Sequence, residues 1–481
     1  MMTKQIGRVA TLTLLLFGVL FVNLNLIALV QSETLSSHPA NRRLLVREYA
    51  IERGSIVVGE EAIARSIETE GDLEHLREYP GGALYGHITG YYSFILGRSG
   101  LEAALNEQLI GQPLEVLAQN LGDLLFAPDQ AGNTVELTID PRAQQAAADA
   151  LEGRVGAVVA LDPTTGAVLA SYANPSFDPG PLSTHNASAI REAWEPLIDS
   201  DERPLVNRAI AETYPPGSTF KLITAAAALE HDRSPETAFP DEGVYDVPQT
   251  ESDIGNFGGG KCGEGETISL ADAMRVSCNT VFARLGVELG ADRLIDMAER
   301  FGFNRAPPYE LDVANSGIPK EMDEPSAAQS AIGQRDVRAT PMQMAIVAAA
   351  MANGGRLVEP HLVRAIRDPS GSLVRETAPS LWDEGRFDGQ VVSETIAAQL
   401  RDMMIDVVAD GTGRNARIDG VTVGGKTGTA QTGGAPTVWF VGFADQQVAV
   451  AVVLPSAGDD DTGGQVAAPI ARAVMEAALG R

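Results

Sequence analysis

Apolar runs with the length of β-strands occur in two groups that lie far apart in the chain. The runs are Val155–Leu161, Ala167–Tyr172, Val421–Val423, Val438–Phe443 and Val448–Leu454. A turn sequence typical of a β-hairpin, Asp-Pro-Thr-Thr-Gly at 162–166, joins the first two. Residues 220–351, between the groups, have helical patterning. The pattern predicts an α+β fold, in which both chain ends form one antiparallel sheet and a helical subdomain is inserted between them.

A smaller mixed α/β domain is expected ahead of this sheet, because 481 residues are too many for one ordinary core. Thr134–Ile139 alternates like a strand. Asp140 and Pro141 then supply the N-cap and first-turn residues of a predicted helix. Leu101–Gln108 is also predicted to be helical, whereas the Gly- and Tyr-rich stretch 79–92 is expected to form a loop and a short strand.

The N-terminal region contains an uncharged apolar run, Val9–Val30, whose 22 residues are enough to cross a bilayer. Lys4 and Arg8 precede it, which favours a cytoplasmic N-terminus. A cleaved signal peptide is the main alternative, and a buried core helix is another. The expected organisation is a cytoplasmic N-terminus (1–8), a transmembrane anchor (9–30), a pedestal or dimerisation-like domain (31–153) and a main domain (154–481).

The chain is strongly acidic, with a formal net charge of −28, and this disfavours a nucleic-acid partner. Cys262 and Cys278 are expected outside the membrane, where they can form a disulfide; two buried thiols are the alternative. The sequence has no CxxC motif and no His/Cys group at metal-ligand spacing. Neither a metal site nor a cofactor is therefore expected.

Lysine is rare in this chain, with only five in all, so each lysine is expected where arginine cannot replace it. Accepting a proton is such a role, because a guanidinium stays charged while a buried ammonium can lose its proton. Lys221 follows Ser218 by three residues at the start of a predicted helix, which places both side chains on one face. A serine hydroxyl needs a neighbouring base, so Lys221 is predicted to activate Ser218 as a nucleophile.

Two further segments complete the candidate site. Residues 277–279 (Ser-Cys-Asn) lie between two predicted helices, where a turn would present a hydroxyl beside an amide. Residues 426–429 (Lys-Thr-Gly-Thr) follow a strand-like run, and Gly425 and Gly428 are expected to give an extended peptide room at the strand edge. No serine lies in a Gly-x-Ser-x-Gly setting, so a Ser-His-Asp triad is disfavoured.

The SxxK, SxN and KTG motifs occur together, in this order, in β-lactamases and penicillin-binding proteins. From about residue 154 onwards the chain resembles the transpeptidase domain of penicillin-binding proteins. The resemblance extends to the hairpin 156–172, to Asn207–Ile210 ahead of the nucleophile and to Trp439–Gly442 after KTG. The apolar N-terminal segment and the Arg-Gly-Ser-Ile turn at 53–56 resemble class B members, in particular the A-type proteins of actinobacteria.

The resemblance implies a D,D-transpeptidase that cross-links peptidoglycan stem peptides through an acyl-serine intermediate. The implied roles are Ser218 as nucleophile, Lys221 as base, Ser277 and Lys426 as proton relay, and Asn279 as ligand of the substrate amide. Thr427, Gly428 and Thr429 are the implied substrate-binding residues, and Thr427 and Thr429 would bind the terminal carboxylate. The backbone N–H groups of Ser218 and Thr429 would form the oxyanion hole.

The implied partners are stem peptides of the lipid-linked precursor polymer, β-lactam inhibitors and a membrane glycosyltransferase of the SEDS family. A serine β-lactamase or D,D-carboxypeptidase is an alternative. A β-lactamase needs a water-activating base, for which Glu324 is the nearest candidate, and a weak one. A non-enzymatic membrane β-lactam sensor is a further alternative, but the eight residues before Val9 are too few for a cytoplasmic effector domain.

Overall fold

The computed structural model describes residues 2–29, 46, 48–71, 73–111, 131–382, 388–431, 433–458 and 460–481. The α-helices in these ranges are Met2–Leu29, Gly82–Thr89, Gly100–Ala104, Asn106–Ile110, Pro141–Ala150, Ala187–Asp199, Lys221–Glu230, Leu270–Arg275, Asn279–Leu289, Ala291–Arg300, Glu324–Ala331, Pro341–Ala352, Glu394–Asp410 and Ala468–Ala478. Short two-stranded ribbons pair Tyr92–Ser93 with Gly97–Arg98, Ala238–Pro240 with Thr267–Ser269, and Val244–Asp246 with Asp253–Gly255.

The main sheet is antiparallel and takes its strands from both ends of the main domain, which confirms the predicted architecture. Its order is Val423–Ala430, Thr437–Ala444, Val448–Leu454, Gly156–Leu161 and Val168–Asn174. The helix Pro341–Ala352 packs on one face, and Ala468–Ala478 packs on the other. Because both faces are covered, every residue of the second and third strands is buried.

The first strand of this sheet differs from the prediction. It runs from Val423 to Ala430, so the Lys-Thr-Gly-Thr segment lies within the strand and does not follow it. Gly424 and Gly425 on this strand allow close packing against aromatic rings. A Cβ atom on Gly424 would lie 2.4 Å from the Phe443 ring, and one on Gly425 would lie 2.3 Å from the Phe440 ring.

The helical subdomain surrounds the helix Lys221–Glu230, in which every residue except Glu230 is buried. A 3-10 turn, Gly217–Phe220, precedes this helix. The helix packs against Asn279–Leu289, Ala291–Arg300 and Glu394–Asp410. The nucleophile segment is thus held on a buried and densely packed element, which keeps its position fixed.

The N-terminal domain is built on a six-stranded sheet that also contains a later part of the chain. The order is Leu373–Glu376, Val363–Arg367, Thr134–Leu137, Ile56–Val58, Glu61–Glu68 and His75–Glu78. Arg367 Nε also donates to Glu136 Oε1 at 2.5 Å across this junction. The hairpin at 363–376, distant in sequence, therefore completes the sheet.

Two local predictions in this domain need correction. The stretch 79–92 contains the helix Gly82–Thr89, where a Cβ atom on Gly86 would lie 2.1 Å from the carbonyl oxygen of Phe177. Gly86 therefore serves packing, which a turn-based interpretation misses. The predicted helix 101–108 is two short helices that meet at Leu105. The cap at Asp140 is confirmed, since its carboxylate accepts from Arg142 N and Ala143 N.

The N-terminal helix Met2–Leu29 is, in the described part of the chain, the one long and apolar enough to cross a membrane. Its segment Ile6–Asn23 has a mean hydropathy of 1.8 and no part of it is buried. The last residue of the predicted anchor, Val30, lies outside the described residues. Length and composition are thus consistent with a membrane anchor.

Candidate active site

Ser218 lies in the 3-10 turn ahead of the Lys221–Glu230 helix, at the wall of a cleft of about 930 Å³. Gly217 has φ +51°, and its N–H donates to Gly333 O at 2.9 Å. A Cβ atom on Gly333 would lie 2.1 Å from Gly217 O, so this approach requires glycine. The indole of Trp439 donates to Pro215 O at 3.0 Å. These contacts fix the turn against the main sheet.

Lys221 is fully buried, and its amine faces the Ser-Cys-Asn turn. Lys221 Nζ donates to Asn279 Oδ1 at 2.7 Å, to Ser277 O at 2.8 Å and, more weakly, to Ser277 Oγ at 3.4 Å. The i, i+3 spacing predicted that the amine would lie over Ser218. Among the described residues, however, its hydrogen bonds run to residues 277 and 279, whose oxygens lie within reach of the amine.

Lys426 is also fully buried and donates to Ser277 Oγ at 2.7 Å and to Thr427 O at 3.0 Å. One hydroxyl therefore lies between two amines. Burial lowers the pKa of Lys426 to about 7. Burial, and then the positive charge of Lys426, lower the pKa of Lys221 well below its usual value. Burial thus favours the neutral form of both amines, and a neutral amine can accept a proton.

The turn that carries Ser277 and Asn279 is held by contacts that sequence reasoning missed. Ser277 has φ +62°, a left-handed conformation uncommon outside glycine. Asn256 Oδ1 accepts from Asn279 N at 2.9 Å and from Thr280 N at 3.1 Å, and so caps the Asn279–Leu289 helix from a distant loop. Asn256 stands shortly before three glycines, and this pattern indicates a loop. It does not indicate which helix the asparagine caps.

The two cysteines form a disulfide in the structure, and the bridge joins this turn to the neighbouring loop. The carboxylate of Asp241 accepts from Cys262 N at 2.8 Å and from Gly263 N at 2.7 Å. Asn279 Nδ2 donates to Gly255 O at 3.0 Å. The turn and the loop are thus joined covalently and by hydrogen bonds.

The segment 426–429 lies on an edge strand, and Thr427 and Thr429 line the cleft. Thr427 Oγ1 and Thr412 Oγ1 are 2.6 Å apart, and Gly463 N donates to Thr429 Oγ1 at 3.4 Å. The room expected beside Gly428 is occupied, since a Cβ atom there would lie 2.8 Å from Pro216 O. Gly425 and Gly428 therefore permit internal packing, and the free edge of the strand is what a peptide could approach.

The cleft brings together residues from all three motifs: Ser218, Ser277, Asn279, Thr427 and Thr429. Asp410 is the one carboxylate among the described lining residues, and it forms an ion pair with Arg275 at 3.7 Å. Glu324 is exposed at the start of its own helix and does not line the cleft. Sequence reasoning also missed the lining residues Gln334, Thr412, Arg414 and Thr462.

Comparison with known proteins gives consistent matches along the chain. The penicillin binding protein transpeptidase domain matches residues 156–476, and the penicillin binding protein A dimerisation domain matches residues 53–135. The chain is 40% identical to the peptidoglycan D,D-transpeptidase PbpA of Mycolicibacterium smegmatis and 37% identical to PbpA of Mycobacterium tuberculosis, in each case over 99% of both chains.

Solved structures agree with these matches. The ceftriaxone acyl-enzyme complex of penicillin-binding protein A from M. tuberculosis has a TM-score of 0.85 and 38% identity, covering 90% of this chain and 100% of that one. The imipenem acyl-enzyme complex of the same protein has a TM-score of 0.84 and 39% identity, with the same coverage. With the three motifs at one cleft and matches over nearly the whole length, the chain belongs to the class B penicillin-binding protein transpeptidase family.

Proposed function

We propose that this chain is a peptidoglycan D,D-transpeptidase that cross-links stem peptides through an acyl-serine intermediate and is inhibited by penicillin. The observation that carries the proposal is Ser277 Oγ, which accepts from the buried amines of Lys426 and Lys221 in the same cleft as Ser218. The mycobacterial relatives that match over their full length are named for this activity.

In the acylation step, Ser218 Oγ attacks the carbonyl carbon of the penultimate D-alanine, and the bond from that carbon to the nitrogen of the terminal D-alanine breaks. Neutral Lys221 accepts the serine proton, because a desolvated amine is a competent base. Ser277 Oγ and Lys426 Nζ, already joined by a hydrogen bond, return a proton to the leaving amine. An amine of a second stem peptide then attacks the acyl carbon and releases Ser218.

Substrate binding follows from the free polar groups of the cleft. One Nδ2 hydrogen of Asn279 bonds Gly255 O, which leaves the other for a substrate carbonyl. Thr427 and Thr429, which line the cleft, receive the terminal carboxylate. The N–H groups of Ser218 and Thr429 stabilise the oxyanion, on the order of 3 kcal/mol for each donor.

The nature of the cleft lining favours a transpeptidase over a β-lactamase. Rapid deacylation by water requires a base beside the acyl-serine. The single carboxylate among the described lining residues, Asp410, is paired with Arg275 and is largely exposed. The acyl-enzyme should therefore persist until an amine resolves it.

We further propose the membrane arrangement and the domain limits. Residues 1–8 lie in the cytoplasm and 9–30 form the anchor, since Lys4 and Arg8 precede the apolar helix. Residues 31–153 form the pedestal, and 154–481 form an extracytoplasmic catalytic domain. A membrane glycosyltransferase of the SEDS family is the proposed partner that supplies the glycan polymer.

Labelling with a fluorescent penicillin tests the proposed activity. The wild-type protein should acquire a stable label, and Ser218→Ala should acquire none. Ser188→Ala, an exposed serine on the helix Ala187–Asp199, is the matched control and should label normally. Labelling of Ser218→Ala at the wild-type level would refute the nucleophile assignment, and loss of the wild-type label within seconds would indicate a β-lactamase.

A further inference from the structure

The loop Asn256–Lys261 borders the active-site cleft and exposes an aromatic ring there. Phe257 is 71% exposed, the most of any large apolar side chain in the described chain outside the N-terminal helix. Phe257 and Lys261 both line the cleft. A ring at the wall of a binding cleft is placed to bury its apolar surface against a bound ligand.

The base of this loop is fixed although its tip is exposed. Asn256 Nδ2 donates to Glu242 O and to Gly260 O, both at 3.0 Å, and Gly259 N donates to Asn256 O at 3.0 Å. The disulfide at Cys262 closes the other end of the loop. Loops that bind ligands are commonly held in this way by a rigid base, so the ring and the amine are presented at a defined position.

Lys261 also places a cation at the cleft in a chain whose net charge is −28. Its Nζ donates to Gly265 O at 3.1 Å and forms no ion pair within the described residues. Arg275, another cation of the lining, is paired with Asp272 and Asp410. Lys261 therefore keeps donors available for an anionic group of a ligand.

The hydrogen bonds of the loop indicate which part of the ligand it meets. The loop follows Gly255, whose carbonyl oxygen accepts from Asn279, the proposed ligand of the donor peptide backbone. Thr427 and Thr429, the proposed site of the terminal carboxylate, lie on the edge strand. The loop thus adjoins the part of the donor peptide that precedes the scissile bond.

We propose that Phe257 and Lys261 determine specificity for the donor stem peptide. The Phe257 ring packs against the aliphatic part of a residue upstream of the scissile bond, and Lys261 pairs with a free side-chain carboxylate of that peptide. The enzyme then acylates faster with an acidic donor than with the same donor in amidated form. This inference rests on the proposed transpeptidase function.

Two thioester donors test the proposal. Both carry the same acyl group at the thioester, and they differ only in a free carboxylate or a carboxamide on an upstream residue. The kcat/KM for thiol release is measured with the full-length protein in detergent. An exposed ion pair predicts a preference of about two- to fivefold for the carboxylate donor, decreasing as salt is added.

Variants identify the source of the preference. Lys261→Gln should bring the ratio of the two kcat/KM values to one, and Lys261→Arg should retain a ratio above one. Lys320→Gln, an exposed lysine outside the cleft lining, should keep the wild-type ratio. Phe257→Ala should lower kcat/KM with both donors mainly through KM, and Phe257→Leu should lower it less.

The outcomes separate this inference from the proposed function. A wild-type ratio of one, or an unchanged ratio in Lys261→Gln, would overturn the specificity proposal while acylation itself stands. Failure of the wild-type protein to react with either thioester and with fluorescent penicillin would instead refute the transpeptidase assignment, and this inference with it.

Discussion

At the scale of single residues, the arrangement around Ser277 explains how a lysine can act as a base in this site. Two fully buried amines share one hydroxyl, and burial disfavours the charged form of both. Like charges at short range cannot both persist without a counter-ion. The pair should therefore release a proton near neutral pH and titrate as a coupled unit.

The pH dependence of acylation should follow this coupling. The neutral amine of Lys221 is the reactive form, so the rate of penicillin acylation should rise with pH as this amine loses its proton, well below the usual pKa of a lysine. Lys426→Gln removes the positive charge that lowers the pKa of Lys221. The acidic limb of the profile should consequently move to higher pH. Acylation rates measured from acidic to alkaline buffers provide the check.

The control for this profile is Lys320→Gln, because that lysine is exposed and lies outside the cleft lining. Its acidic limb should coincide with that of the wild type. An acidic limb that stays in place in Lys426→Gln, or moves to lower pH, would contradict the coupling of the two amines.

Replacement of Lys221 by arginine separates charge from basicity. A guanidinium keeps the positive charge but cannot accept the serine proton. Acylation by penicillin should therefore fall by about 10²- to 10⁴-fold, the usual contribution of a general base. Lys426→Arg should be milder if charge is the main role of that residue. Rates within a few-fold of wild type for Lys221→Arg would rule out Lys221 as the proton acceptor.

Local sequence patterns predicted the motif residues of this site but not the residues that contact them. The scarcity of lysine and the SxxK spacing identified Ser218 and Lys221, because both follow from local chemistry. The oxygens that the Lys221 amine contacts belong to residues 277 and 279, and helical spacing carries no information about them. Asn256 was missed for the same reason, since its cap acts on a helix distant in sequence.

At the scale of elements, the disulfide connects the loop of Phe257 to the turn of Ser277. It closes a loop with a sequence separation of 16, and such a closure stabilises a protein by about 3 kcal/mol in the chain-entropy model. A fixed turn also keeps Ser277 and Asn279 in the geometry that acylation requires.

Thiol chemistry and denaturation test this connection. The protein without residues 1–31, produced in an oxidising compartment and denatured without reduction, should contain no free thiol. Cys262→Ala with Cys278→Ala should lower the free energy of unfolding by about 3 kcal/mol, measured by urea titration. Two free thiols per chain in the unreduced wild-type protein would show that the bridge does not form.

Elements rich in β-branched residues were predicted from the sequence, and elements rich in glycine were not. Val448–Leu454 matches its predicted bounds because its apolar residues are buried on both faces of the sheet. The strand predicted at 421–423 was extended too little to include Gly424–Ala430, and Gly82–Thr89 was expected to form a loop, since glycine usually indicates a turn. Their glycines permit contact with the Phe440 ring and the Phe177 carbonyl, and such tertiary contacts leave no local pattern.

At the scale of the whole molecule, the N-terminal helix should be separable from the catalytic part. No part of the segment Ile6–Asn23 is buried against the rest of the described chain, so its removal breaks no core packing. A protein without residues 1–31 should remain soluble without detergent and should be acylated by penicillin at the wild-type rate. N-terminal sequencing of the full-length protein from cells should give residue 1 or 2. A start near residue 31 would identify a signal peptide.

The hairpin at 363–376 has a consequence for the order in which the protein matures. Glu136 and its partner Arg367 are 231 residues apart. At a synthesis rate of about 5–20 residues per second, the strand at 134–137 waits roughly 12–46 s for its neighbour. During that interval the edge that later pairs with Val363–Arg367 exposes unpaired backbone groups. The nascent chain therefore passes through a stage in which this open edge is available for pairing with other chains, and the sheet closes only after residues 363–376 have been synthesised.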